Sequence, residues 1–451
     1  MLKALGNIFK VEELKRKVII TLALLIVYRI GCFIPTPGID SFALSQFFER
    51  ISKTQGQTLL GIISIFTGGA LHRLSIFALG IMPYISASII MQLLTAVIPA
   101  LERIAREGRT GYERINQYTR YLTLGICLIQ GLFLALWLEN SANFQGIVIV
   151  PQPGFLFKFT TIFTLCAGTI FIMWLGEQIQ ERGIGNGISL IITASIISRI
   201  PASLYQLWML WSPFDATKRQ IPTPTVIILL FLWFLTVCAV VLFTQAQRRI
   251  PVQYGRRIIG RRVYGGQSTY LPIRIDMAGV MAIIFAQSVI LFPATIATFF
   301  PRGSKLMGFL QGIFSQRGIW YNLIYITLII FFMYFYTAIV FNPLEISNNL
   351  KKYGGFIPGI RPGRPTAEYL DYVATRIVFI GALYVCFIAT FPNLIMHIFK
   401  VPSYALASFF GGTTLLIMVG VILDTMKQIE GQLLIRHYEG FMKKGTLRAR
   451  R

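Results

Sequence analysis

Apolar segments about as long as a bilayer is thick recur ten times along this chain, at roughly 18–34, 75–97, 121–138, 157–176, 187–200, 224–243, 277–298, 320–341, 372–396 and 404–424. A hydrocarbon layer about 30 Å deep is crossed by roughly 20 apolar residues in a helix, which satisfies its own backbone groups where water cannot. The pattern therefore dictates an all-α polytopic membrane protein with ten transmembrane helices. Composition agrees, with 55% hydrophobic and 13% charged residues. The fifth segment is short and bounded by glycine and proline. Met1 to Lys17 leads into a full-length first segment without a small-residue cleavage site, so no cleavable signal peptide is expected.

Charge fixes the expected orientation. The formal net charge is +24, and with the N-terminus placed in the cytoplasm 29 of the 42 Lys and Arg fall in cytoplasmic regions against eight clear cases on the other side. That asymmetry is the positive-inside pattern, and it predicts both termini cytoplasmic. Ten spans divide into two sets of five, and an odd number per set gives the sets opposite orientations, as in inverted repeats. The expected division is 1–200 for the first half, 201–221 for an external hinge loop, 222–424 for the second half and 425–451 for a basic cytoplasmic tail.

Enzyme chemistry has no foothold in the sequence. HExxH, GxSxG and GxxxxGK are absent, His72, His397 and His437 are far apart, and the five cysteines lie in or beside apolar runs without CxxC spacing. No catalytic residue, metal site or cofactor is expected, and the cysteines read as small apolar packing residues. Glu102, Glu177, Glu345 and Asp424 fall at span ends, so a buried proton or sodium relay has no carrier. A secondary solute transporter with inverted repeats remains the alternative on topology alone.

Two polar regions carry information. Between the first and second spans, the piece Leu59 to Ala70 contains Gly61, Gly68 and Gly69, is too short to cross, and is expected to be a re-entrant half-helix. The loop 244–276 carries Arg248-Arg249, Arg256-Arg257, Arg261-Arg262 and Arg274 with Tyr254, Tyr264 and Tyr270 interleaved, a pattern suited to phosphate backbones or an acidic protein surface. In the loop 342–371, glycines and prolines between Lys351 and Gly363 forbid one continuous helix and imply a shaped, protruding element.

Gly80-Ile81-Met82-Pro83-Tyr84-Ile85-Ser86-Ala87-Ser88-Ile89-Ile90, Met173-Trp174-Leu175-Gly176-Glu177-Gln178, Arg182-Gly183-Ile184-Gly185-Asn186-Gly187-Ile188-Ser189, Phe341-Asn342-Pro343 and Pro358-Gly359-Ile360-Arg361-Pro362-Gly363 stand in this order. Together they resemble the SecY family, the channel-forming subunits of bacterial and plastid Sec translocons, and the resemblance covers nearly the whole chain.

That resemblance implies two inverted five-helix halves around a central pore. It implies a protein-conducting channel that passes unfolded, signal-bearing polypeptides and releases apolar segments sideways into lipid. Carried over by motif, the pore ring falls on Ile81, Ile85, Ile192, Ile284 and Ile417. The plug falls on 59–71, with Leu59, Gly61, Gly68, Gly69 and Leu71. The lateral gate includes Ser86 and Phe292, with Gln92 and Gln287 as nearby polar candidates. Partner docking falls on Arg248, Arg249, Arg261, Arg262 and Arg361. Implied partners are SecE-like and SecG-like small membrane subunits, the SecA motor ATPase, the ribosome with its RNA, secretory polypeptides and membrane lipid. The implied location is the bacterial plasma membrane, with the thylakoid membrane as the alternative.

Overall fold

The computed structural model describes residues 11–54, 67–140, 144, 147–212, 221–254, 257–259, 262–264, 268–299, 318–399 and 404–444. Helix α1 is Glu12–Gly31, with Glu12 and Glu13 in its first turn and Arg29 in its last, the charge order a helix dipole favours. After α2 (Ser41–Thr54) and turns through 67–81 comes α3 (Met82–Val97), started by Pro83. It bends by 99° into α4 (Pro99–Arg106). Pro99 causes the bend, because the residue before a proline is pushed out of the helical region and Ile98 sits at φ −95, ψ 113.

Long helices follow: α5 (Arg109–Glu139), α6 (Phe155–Arg182), α7 (Gly187–Ile197), α8 (Ile200–Trp211) and α9 (Thr223–Gln245). The remainder comprises α10 (Gly279–Phe299), α11 (Ile319–Val340), α12 (Pro343–Lys352), α13 (Arg364–Phe399), α14 (Tyr404–Phe410) and α15 (Thr413–Lys444). Among the described residues, seven helical stretches are long and apolar enough to cross a membrane, and the bent pair α3–α4 makes an eighth. The other two expected spans are α1, whose basic start at Lys15, Arg16 and Lys17 lowers its hydropathy, and α10, apolar over Val280–Pro293. Every expected apolar segment is thus helical, but not always over the expected range.

Three boundaries differ, each for a local reason. Residues 200–211, expected within an external hinge loop over 201–221, are helix, because Pro201 occupies a first-turn position where its missing N–H costs nothing. The short fifth segment joins this helix as a span over Gly187–Trp211. The third concerns the stretch expected as a tail from 425: it continues α15 as helix to Lys444, and 445–451 lie outside the described residues.

The chain is also not wholly helical. The basic loop folds as strands β1 (Gln247–Tyr254), β2 (Arg257–Ile259), β3 (Arg262–Tyr264) and β4 (Ser268–Arg274), with β5 (Gly355–Phe356) contributed by the second loop. β1 pairs antiparallel with β4, from Gln247 opposite Arg274 to Gln253 opposite Ser268, and its far end pairs with β5. β2 and β3 form a separate hairpin. Ile250 and Val252 alternate inward between exposed neighbours, the period of a half-buried strand. The long basic loop disguised that alternation because only two inward positions carry it.

One large apolar core runs through the bundle, with Leu134, Leu165, Ile172, Leu175, Ile283, Ile329 and Val378 fully buried. The outward faces are apolar too: α9 exposes Ile227, Leu230, Phe231, Phe234 and Leu235, as a helix facing lipid must. None of the five cysteines is in a disulfide, and Cys32, Cys127, Cys166 and Cys386 are buried. The non-helical stretch before α3 lies against α6 so closely that a Cβ at Gly168 would sit 2.0 Å from the Ile76 carbonyl oxygen. Backbone cannot yield as a flexible side chain does, so Gly168→Ala is expected to destabilise the fold by about 1–3 kcal/mol. Thermal unfolding of the detergent-solubilised protein checks this, and an unchanged midpoint would mean the two segments are not in contact.

Candidate pore, lateral seam and basic surface

Five isoleucines on four different helices are buried in the same apolar core. Ile81 caps α3, Ile85 lies on α3, Ile192 on α7, Ile284 on α10 and Ile417 on α15. All are at most 4% exposed, and all belong to the same apolar core. The Ile85 amide donates to the Ile81 carbonyl at 3.1 Å, which sets the two one turn apart on a common face. Charged partners for an ion or solute are missing from this set; it is purely aliphatic.

Of the segment 59–71, residues 67–71 are among those described. Leu59 and Gly61 lie outside the described residues. Gly68 and Gly69 take left-handed conformations at φ 62 and 90, which glycine alone adopts without strain. They turn the chain into a single 3-10 turn, Ala70–Arg73, in which Leu71 is buried. Arg29 of α1 holds this turn: its Nη1 donates to the Gly68 carbonyl at 2.9 Å, while its guanidinium and that of Arg73 both lie over the Phe33 ring, at 5.0 and 4.5 Å. His72 meets Phe48 of α2 edge-on at 4.5 Å. In the sequence Arg29 stands only as an isolated cation beside a span, and its separation of 39 residues from Gly68 gives no local signal.

The seam between the two sets of spans is built where α10 packs against α3 and α5. Ser86 is buried on α3 and Phe292 half-buried on α10. Gln92 does not reach across: its Nε2 donates to Ser88 in its own helix at 3.3 Å. Gln287, buried, accepts from the Tyr325 hydroxyl of α11 at 2.8 Å, again on its own side. The two amides therefore stiffen their own flanks rather than bolt the seam. Tyr325 is a residue the sequence did not mark, because one buried tyrosine in an aromatic-rich span looks like packing.

The basic surface is one construction from two loops. Ile250, Val252 and Ile273 of the hairpin pack with Ile357 and with Leu370, Val373 and Ile377 of α13. Arg248, Arg249 and Arg274 are exposed. Arg361 is exposed on a turn held by the Thr366 hydroxyl, which donates to the Arg361 carbonyl at 2.8 Å, and by Ser347, which donates to the Gly363 carbonyl. Pairing of Gln253 with Phe356 ties this turn to the hairpin. Arg261 lies outside the described residues, and of Arg262 only the strand backbone is described. At the foot of the bundle, Arg120 of α5 grips Glu177 of α6 with two hydrogen bonds, at 3.1 and 2.7 Å, the bidentate geometry that a planar guanidinium favours.

Comparison with known proteins agrees with this architecture. The family model described as SecY matches residues 75–426. The chain is 47% identical over 438 residues to the protein translocase subunit SecY of Escherichia coli strain K12, covering 97% of this chain and 95% of that one. It is 43% identical over 446 residues to the same-named protein of Aquifex aeolicus, covering 98% and 100%. Among solved structures, one described as a protein conducting channel superimposes with a TM-score of 0.65 at 17% identity, covering 96% of this chain and 95% of the other. Sec61 in the canine ribosome-channel complex from the endoplasmic reticulum superimposes with a TM-score of 0.61, also at 17% identity and with the same coverage. With the family model, the motif order and near full-length identity in agreement, the chain belongs to the SecY family.

Proposed function

We propose that this protein is the protein-conducting channel of a Sec-type translocon, with the five isoleucines as its constriction. The observation that supports the reading is their shared burial: aliphatic side chains from both sets of spans, all in one apolar core. A narrow aliphatic ring offers a hydrated ion no ligand and gates by dewetting, yet it widens around an extended peptide without choosing among side chains. Residues 59–71 plug the pore, held at their base by Arg29.

Sideways release follows from the seam of α3 and α5 against α10. An apolar segment exposed there gains on the order of 0.3–0.6 kcal/mol for each central Leu, Ile, Phe or Val on entering lipid. About 20 such residues outweigh the pore; a polar chain stays in water.

On this reading the basic surface is cytoplasmic, the protein resides in a bacterial plasma membrane with both termini inside, and residues 1–200 and 222–424 are its halves. The arginines dock the ribosome, through its RNA, or a SecA-type motor, and SecE-like and SecG-like subunits complete the complex. The energy comes from those partners, so the chain itself catalyses no reaction. The ribosome-bound relative supports the first of these partners.

A channel and a carrier are separated by removing residues 59–71 from the complex in liposomes. A channel then passes ions without saturation; saturable flux of a small solute with no leak would favour the transporter reading instead.

A further inference from the structure

Where the link from α7 to α8 meets α14 and α15, the structure leaves a partly open cavity of ≈ 40 Å³ that belongs neither to the seam nor to the basic surface. That is room for about three water molecules. Arg199 and Ser203 line it from the first set of spans, Ser408 and Thr414 from the second, and the rest of the wall is apolar, with Ile196 and Phe409 facing each other's sets.

Local backbone places the polar groups. Arg199 is the residue before α8, where its amide donates to the Ile196 carbonyl at 3.1 Å and its carbonyl accepts from the Ser203 amide at 3.0 Å. Residues four apart on a helix share a face, so Arg199 and Ser203 reach the same cavity. Across from them the Thr414 hydroxyl donates to the Ser408 carbonyl at 2.6 Å. That proton shapes the wall. The donors a ligand meets are then the Ser203 hydroxyl and a guanidinium, which carries five N–H groups in a fixed fork.

Charge points to an anion. A Cβ at Gly69 would lie 3.9 Å from Arg199 Nη2, and one at the neighbouring Gly68 would lie 3.0 Å from Arg29 Nη1. Two guanidiniums therefore flank one glycine pair, and a negative group beside them offsets their repulsion. The apolar wall selects among anions. A free inorganic anion would give up its hydration against Ile196 and Phe409, whereas one joined to a hydrocarbon chain gains from the same contact. On its exposed faces α8 carries Leu204, Tyr205, Trp208 and Met209, the mixture of apolar and aromatic side chains that marks a membrane edge.

We propose that this cavity binds the head group of an anionic amphiphile, with the anionic oxygens on Arg199 and Ser203 and the first methylenes against Ile196 and Phe409. A free fatty acid and an anionic phospholipid share that chemistry. The site needs only the cavity, so it stands apart from the channel reading.

The test uses the full complex in nanodiscs of phosphatidylcholine and palmitate carrying a diazirine close to its carboxylate. After illumination, mass spectrometry is expected to find label in residues 196–203 and 408–418. Arg199→Gln is expected to lower that labelling at least about tenfold for equal assembled complex, as the loss of one charge-assisted hydrogen bond requires. Arg199→Lys keeps the cation and most of the label. Ser203→Phe fills the cavity with Arg199 intact and is expected to abolish the labelling, which keeps the proposal open to refutation even where Arg199→Gln fails to assemble. Displacement by plain palmitate identifies a fatty acid as the better ligand, and displacement by phosphatidylglycerol a phospholipid; either supports the site. Hexadecanol displacing the label as well as palmitate does would overturn the anionic recognition. Labelling that both Arg199→Gln and Ser203→Phe leave unchanged, or that falls only on lipid-facing residues such as Ile227 and Phe231, overturns the site itself.

Discussion

Replacing Ile85 and Ile284 together with glycine makes the resting channel leak ions about tenfold faster than the parent, the result expected when an apolar constriction loses the side chains that keep it dry. The two residues come from α3 and α10 and are each 3% exposed in the bundle core. Removing both side chains opens a path where water can stand, and an ion then crosses without shedding its shell. Current across planar bilayers containing the complex measures the effect. Large-to-small changes at buried sites also cost about 2–5 kcal/mol each, so the amount of folded protein is measured alongside. Ile85→Leu with Ile284→Leu keeps the aliphatic volume and is expected to keep the seal. Parent-like conductance in the glycine variant would remove these residues from the constriction.

Charge reversal on the hairpin, Arg248→Glu with Arg249→Glu, is expected to weaken ribosome binding at least about tenfold at near-physiological salt. It should also flatten the dependence of log K on log salt by about two, one for each phosphate that an arginine no longer neutralises. Both side chains are exposed while Ile250 and Val252 hold the strand from beneath, so the variant keeps its fold. Sedimentation of ribosomes with the detergent-solubilised complex reads the affinity directly. Undiminished binding with an unchanged salt slope would mean that the ribosome docks elsewhere on the protein.

What the sequence disclosed follows from the length scale of each signal. Ten apolar segments were legible because a bilayer demands roughly 20 residues of one character, and the helices fall on all of them. The isoleucines were legible only through motif resemblance, since Ile192 and Ile417 are indistinguishable in sequence from lipid-facing neighbours such as Ile197 and Ile422. Short-range signals failed at the hairpin, where two inward residues make the whole alternation, and at Ile200–Trp211, where prolines read as a connector but one of them begins a helix. Pairings between distant residues left no trace at all. Arg29 with Gly68, Gln287 with Tyr325 and Gly185 with Gln428 depend on the packing of whole helices, which no local pattern encodes.

Helix α13 has a mechanical meaning beyond its role as a span. Its 36 residues begin directly after the turn that presents Arg361 and carry Val385 and Ile388 into the bundle core, with a single internal proline, Pro392, near the far end. At 1.5 Å per residue the rod is about 54 Å long, well beyond the thickness of the oily layer, and a tilt of about 5° at one end sweeps the other through roughly 5 Å, the height of one helical turn. On the proposed reading, a partner docked on the arginine turn holds the handle of a lever whose middle, at Val385 and Ile388, passes among the innermost side chains.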